Sequence, residues 1–405
     1  MEIINSTTII VILCGVIILS YFFSLLSLKT RIPSVLLLLA TGIITKQLVQ
    51  YFGIHFEIPA SIIELFGTIG LIMILLEAGL DLEISKKHVL LIRNSFLSAF
   101  TVMMLSTFLV SLIIKFWLNQ PFLNSVVYAL PLSIISGAIV IPSLQHLTAR
   151  KRDFLVYEAS FSDILGILFF NFIVADQAFS AVNITVFFIN LIVAVLIALI
   201  VSFFLFYLLT QSKVNVKFFL VFAILILLYV SGKVIHLPSL IIILVFGLLV
   251  TNWGKIKYKK LTKLFPHSQV QSTHELLHSI TAESSFLIRT FFFILFGYSI
   301  NINLLVNVEV VVVGSAIVFV MLLVRYLYLK FFVKSNIFPE LYYMPRGLIT
   351  ILLFYKIPTG LQLSSFNEGI LFFVVLATGL IMMFGAVFHK SDDGITTPDE
   401  IFEQG

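Results

Sequence analysis

Two carboxylates in a strongly apolar stretch, Glu158-Ala-Ser-Phe-Ser-Asp163, are the residues of this chain best placed to do chemistry. An ionised carboxylate in hydrocarbon costs several kcal/mol or more, so acids at membrane depth are rare and tend to serve a function. On a helix, Glu158 and Ser162 share a face, and Asp163 is rotated about 100° further round. One acid can therefore hold a structural partner while its neighbour faces a different environment. A carboxylate kept free of a permanent cation can bind either a proton or a metal ion. Competition between H⁺ and Na⁺, K⁺ or Li⁺ for one set of oxygens is the least chemistry that ion exchange requires. The plainer alternative is that both acids sit in salt bridges that only fix helix packing, a reading that suits Glu158 better than Asp163.

Other ionisable groups at membrane depth are few: Glu77, Arg289, Arg325 and Arg346, with Glu64 and Asp81 nearer helix ends. Arg325 or Arg346 could neutralise Glu158 through paired guanidinium–carboxylate bonds, leaving that acid unable to compete for an ion. For Arg346 the competing expectation is snorkelling to the interface, and for Arg289 snorkelling at the cytoplasmic end of its helix is the favoured one. Two segments should break within the membrane. Residues 122–147 contain Pro131, Ser136-Gly137-Ala138 and Pro142; residues 343–358 contain Pro345-Arg346-Gly347 and Thr350. Proline removes a backbone donor and glycine weakens the helix, and broken helices in matching positions of two halves point to a transporter's binding site. Their freed carbonyls, with oxygens of Ser136, Ser162 and Asp163, could coordinate a hard monovalent cation.

The elements that must position these groups follow from composition. Of 405 residues, 60% are hydrophobic and 11% charged, far from the quarter or so of charged residues usual in soluble domains, so the chain is a polytopic membrane protein. Windows of about 20 residues give thirteen spans near 8–28, 33–47, 61–82, 90–117, 122–147, 153–176, 182–211, 215–231, 238–252, 283–302, 307–333, 343–358 and 366–388. The segments 33–47 and 238–252 are short for a full crossing. Eighteen lysines and arginines then fall on one set of connections, among them Arg150-Lys151-Arg152 and the run from Lys255 to Lys263. Four (Lys46, Lys115, Lys233 and Lys356) fall on the other. The positive-inside rule puts the N-terminus outside and the C-terminus in the cytoplasm of a plasma or inner membrane. Residues 252–283 read as a cytoplasmic loop lying on anionic headgroups, and 391–405 as a short, acidic, disordered tail.

The histidines map to loops or helix ends without metal spacing beside an acid, so a zinc site is not expected. Nucleotide-binding patterns are absent, no nucleophile–base pair suggests an enzyme, and no nucleic-acid partner is expected. The single cysteine, Cys14, excludes an intramolecular disulfide.

These motifs resemble the monovalent cation:proton antiporter superfamily, the sodium/proton exchangers and their relatives. Gly67-Thr-Ile-Gly-Leu-Ile-Met-Ile-Leu-Leu-Glu77-Ala-Gly-Leu-Asp81 is similar to the family's third-helix signature. Ser136 to Pro142 falls at its unwound helix, Glu158 to Asp163 at its glutamate-plus-aspartate motif, and Arg325 and Pro345 to Thr350 at its two arginine motifs. The resemblance runs from about residue 30 to 388. It implies an all-α fold of two inverted repeats with two broken crossing helices. It also implies a core of helices at about 90–176 and 307–388 moving against a dimerisation scaffold of about 8–82 and 182–302. By the same resemblance Asp163 binds the ion, Glu158 pairs with Arg325, and the protein is a homodimer exchanging Na⁺, or K⁺, for H⁺ without a cofactor. The family usually has Asn or Asp where this chain has Ser162, and a hydroxyl residue where it has Gly137. Serine holds no second transport proton, which favours one-for-one, electroneutral exchange. A potassium efflux transporter or a passive cation channel using the same acidic site are the alternatives; a non-transporting scaffold fits the intact acid and two broken helices poorly.

Overall fold

A computed structural model describes residues 6–53, 59–84, 89–144, 146–175, 181–211, 217–234, 240–255, 267–333 and 337–388. The whole basic run after Lys255 and the acidic tail 391–405 lie outside the described residues. Among the described residues the regular structure is entirely helical: α1 (Ser6–Thr30), α2 (Ser34–Tyr51), α3 (Ala60–Asp81), α4 (Val89–Leu118), α5 (Phe122–Ser133), α6 (Gly137–Val140), α7 (Ala149–Ala175), α8 (Ala181–Gln211), α9 (Lys217–Val234), α10 (Leu240–Asn252), α11 (His267–Ser299), α12 (Ile302–Leu305), α13 (Val308–Tyr328), α14 (Leu348–Tyr355) and α15 (Gly369–Phe388). Each of the thirteen expected spans overlaps at least one of these helices. Among the described residues ten segments are long and apolar enough to cross a bilayer, counting the interrupted stretch Phe122–Ser143 as one, and Phe218–Gly232 and Leu240–Lys255 are shorter apolar helices. In lipid every backbone polar group needs an internal partner, so an unbroken helix is the default and each interruption must be compensated.

One expectation needs correction. Residues 267–283 are not loop; they are the first turns of α11, continuous to Ser299. Their composition is polar, but Val270, Thr273, Leu277 and Thr281 recur at helical spacing and are buried, forming a narrow stripe against the bundle. The stripe brings His278 Nε2 to 2.7 Å from Asp81 Oδ1 at the end of α3, and His274 Nε2 to 3.2 Å from the Leu80 carbonyl.

Two groups of helices pack internally. In one, α11 lies along α2 and α3, and α10 along α3 and α8. Backbones touch where Gly42 of α2 meets Gly297 of α11. A Cβ on either glycine would come within 2.4 Å of a carbonyl oxygen of the other helix, the close approach that small residues permit in membranes. In the other group, α4 contacts α5, α7 and α13, α13 contacts α15, and α14 contacts α5 and α7. The groups meet where α14 touches α3 and α15 touches α2.

Candidate functional site

The first broken segment is explained by following its amides. Pro131 cannot donate a backbone bond, and α5 ends two residues later. The next amides would ordinarily donate to carbonyls four residues back. Instead three in a row find partners on other elements. Ile135 N–H donates to Ser162 Oγ at 2.9 Å, Ser136 N–H to the Pro345 carbonyl at 2.9 Å, and Gly137 N–H to Asp163 Oδ2 at 3.0 Å. Only then does the short α6 begin. The second broken segment is non-helical over 343–347 and becomes helical at Leu348, and the Ser136–Pro345 bond is where the two meet.

The carbonyls left over by this exchange have a named recipient. Leu132 C=O, the ordinary helical partner of Ser136 N–H, accepts from Arg346 Nε at 2.6 Å. The same guanidinium donates to the Met344 carbonyl at 2.5 Å and contacts Met321 Sδ at 3.0 Å, while Arg346 N–H donates to Thr378 Oγ1 at 3.0 Å. Arg346 is 1% exposed, so the snorkelling expectation fails and so does pairing with Glu158. The side chain is consumed by broken-helix carbonyls, which a five-donor planar cation suits better than an interface would.

Glu158 is fully buried and saturated. Arg325 donates from Nη1 to Oε1 at 3.0 Å and from Nη2 to Oε2 at 2.8 Å, and Ser98 Oγ donates to Oε1 at 2.5 Å. Arg325 Nε turns to the Glu340 carbonyl at 2.9 Å. This is the bidentate pair expected from the sequence, with two partners, Ser98 and the Glu340 backbone, that the sequence did not announce.

Asp163 is the contrast. It is 3% exposed and lies on α7 beside Gly137. A Cβ at residue 137 would sit 2.7 Å from Oδ2, so glycine is what lets the broken backbone reach the carboxylate. Oδ1 is buried and has no hydrogen-bond partner among the described residues. Ser136 Oγ and Thr350 Oγ1 are also buried without partners. The Ser136 hydroxyl lies against Gly347, where a Cβ would approach it to 2.5 Å. The broken segments thus bring Ser136, Gly137 and Gly347 together beside Asp163 of α7, and the buried Thr350 lies three residues beyond Gly347. Ser162 turns its oxygen to Ile135 N–H, and Pro142 lies further along, in the 3₁₀ turn Ile141–Ser143 that follows α6.

Arg289 departs from expectation as well. It lies 22 residues into the lengthened α11 rather than near its start, and its Nη2 is 3.6 Å from Glu77 Oε1 on α3. Both residues are part-buried, so the pair joins α3 to α11 instead of reaching an interface. The early start of α11 was hidden because its first turns are polar.

Comparison with known proteins agrees with this architecture. No curated protein matches the chain. Its fold is similar to solved structures of the sodium proton antiporter MjNhaP1 from Methanocaldococcus jannaschii. One, at pH 8, has a TM-score of 0.69 at 18% identity, covering 93% of this chain and 97% of that one. A second, from electron microscopy, has a TM-score of 0.65 at 19% identity, covering 95% of each. The profile of the family described as "Sodium/hydrogen exchanger, transmembrane" matches residues 13–388, nearly every element described above, and this chain therefore belongs to that family of membrane cation:proton antiporters.

Proposed function

We propose that Asp163 alone carries both the proton and the cation, in electroneutral exchange of one Na⁺ for one H⁺. The observation that supports this most is the inequality of the two buried acids. Glu158 has each oxygen engaged by a fixed cation, whereas Asp163 has one oxygen held by Gly137 N–H and the other without a partner. A hard monovalent ion takes oxygen ligands, and Asp163 Oδ1 with the hydroxyls of Ser136 and Thr350 offers them. Proton and ion would occupy the same oxygen, so the site is neutral whichever is bound. A bare carboxylate would be costly to carry across hydrocarbon, and this cost links the two fluxes. Ser162 caps Ile135 N–H and holds no second titrating proton, so one charge enters as one leaves. K⁺ in place of Na⁺ would use the same ligands.

In this reading α4–α7 and α13–α15 move as a core against a dimer-forming scaffold of α1–α3 and α8–α11. The N-terminus faces outside and the acidic tail the cytoplasm. The test is pH-gradient dissipation in everted vesicles on addition of Na⁺, K⁺ or Li⁺, wild type beside Asp163→Asn. Asparagine can still accept from Gly137 N–H, so the fold should persist while exchange is lost. Direct competition further requires the apparent KM for Na⁺ to rise in proportion to proton concentration at constant maximal rate. Normal exchange by Asp163→Asn, or uncoupled cation currents in the wild type, would sink the assignment.

A further inference from the structure

A second polar site lies away from Asp163, at the seam between the two helix groups. A cavity of about 230 Å³ is lined by Ser27, Leu28 and Arg31 at the α1–α2 connection and by Pro142, Ser143 and His146 just beyond the first broken segment. Its charge is the opposite of what a cation route needs. One arginine, one histidine and two serines line it, and among the described lining residues there is no carboxylate. At Coulombic range a guanidinium repels Na⁺ and attracts an anion.

The backbone supports a purpose for that arginine. Arg31 caps α1 with its N–H on the Ser27 carbonyl at 2.8 Å and has φ of 61°, the left-handed conformation that glycine adopts most cheaply at a helix end. A side chain kept where glycine costs less often serves a site. Here Arg31 lines the cavity, with one guanidinium N–H reaching the Ala386 carbonyl at 3.5 Å. Opposite it, His146 Nε2 is fixed by the Tyr343 hydroxyl at 3.0 Å, which orients the ring.

We propose that this cavity binds a phosphate-bearing anion, through Arg31, His146 and the hydroxyl of Ser27; the Ser143 hydroxyl already donates to the Ile139 carbonyl at 2.9 Å and only lines the wall. Guanidinium is the group best matched to phosphate oxygens. The cavity, at about 230 Å³, has room for a phosphate group. The same chemistry is offered by the headgroup of an anionic phospholipid and by free inorganic phosphate. Either would tie the α1–α2 connection to the broken segment.

The test is a binding measurement, independent of antiport. Delipidated full-length protein is titrated with phosphatidylglycerol in phosphatidylcholine micelles, and separately with inorganic phosphate against chloride at equal ionic strength. The readouts are the unfolding temperature and the phosphatidylglycerol retained in native mass spectrometry. Ligand binding to the folded state raises the unfolding temperature. Arg31→Gly removes the guanidinium yet supplies the residue this backbone prefers, so it folds at least as well. Its apparent affinity for the probe should fall by roughly tenfold or more. A shift with phosphatidylglycerol alone assigns a lipid headgroup; an Arg31-dependent shift with inorganic phosphate assigns the free ion. No shift with either probe, or an equal shift in Arg31→Gly, overturns the proposal.

Discussion

Replacing Glu158 by glutamine tests the proposed division of labour between the two acids without touching Asp163. Both Glu158 and Arg325 are fully buried, and their two bonds are 2.8 and 3.0 Å long. With charge centres about 4 Å apart and an effective dielectric near 20, the attraction is about 4 kcal/mol. Glutamine retains the shape, one acceptor for Arg325 and a partner for Ser98. It removes the charge that compensates Arg325, and a buried cation stripped of its partner costs about 3–5 kcal/mol. Unfolding of the purified protein in mixed micelles should show a loss of that size for Glu158→Gln and for Arg325→Gln alone. The double variant Glu158→Gln/Arg325→Gln should recover much of it, with a coupling energy of about 2 kcal/mol or more. Exchange by the double variant should keep the wild-type cation dependence, because in the proposed mechanism neither residue binds the ion. A Glu158→Gln cost below about 1 kcal/mol, or losses that simply add, would refute the argument that the pair is a closed electrostatic unit. Loss of cation competition in a folded double variant would refute the separation of roles.

Two further substitutions address the crossing itself. Gly137→Ala places a methyl 2.7 Å from Asp163 Oδ2, so the carboxylate must shift and the apparent KM for Na⁺ should rise roughly tenfold in a protein that still folds. Ser162→Ala leaves Ile135 N–H buried and unpaired, at about 1–3 kcal/mol of stability, while exchange stays insensitive to membrane voltage; voltage-dependent exchange in that variant or the wild type would contradict one-for-one coupling.

Much of the site was legible because it depends on charge and on proline. An acid or an arginine at membrane depth has few permissible environments, so Asp163, Glu158 and Arg325 could be named from hydropathy alone. Pro131 and the Pro345-Arg346-Gly347 run marked the breaks for the same reason: a lost donor has to be replaced. What was not legible is who replaces it. Arg346 looked like a candidate counter-ion or interface residue, and its actual partners, the carbonyls of Leu132 and Met344, carry no side-chain signature. Ser98 is one serine among several on α4, and only the packing of α4 on α7 brings it to Glu158. The start of α11 was misplaced because hydropathy averages over all faces of a helix. A buried stripe of Val270, Thr273, Leu277 and Thr281 on a polar background stays below any such average.

The Ser136–Pro345 bond also bears on how the protein is made. The two residues are separated by 209 positions, so Ser136 enters the membrane long before its acceptor has been synthesised. Leu132 C=O waits for Arg346, and Glu158 for Arg325, over comparable lengths of chain. Unpaired amides, carbonyls and a lone carboxylate in hydrocarbon each cost several kcal/mol. The N-terminal half therefore cannot reach its final form by sequential insertion. It must hold its broken segment in a provisional, hydrated or continuous-helical state until the last two membrane elements arrive. Completion of the crossing is in this sense a late, concerted event, and a nascent chain halted before residue 345 would contain Asp163 without the crossing that is proposed to complete its ion site.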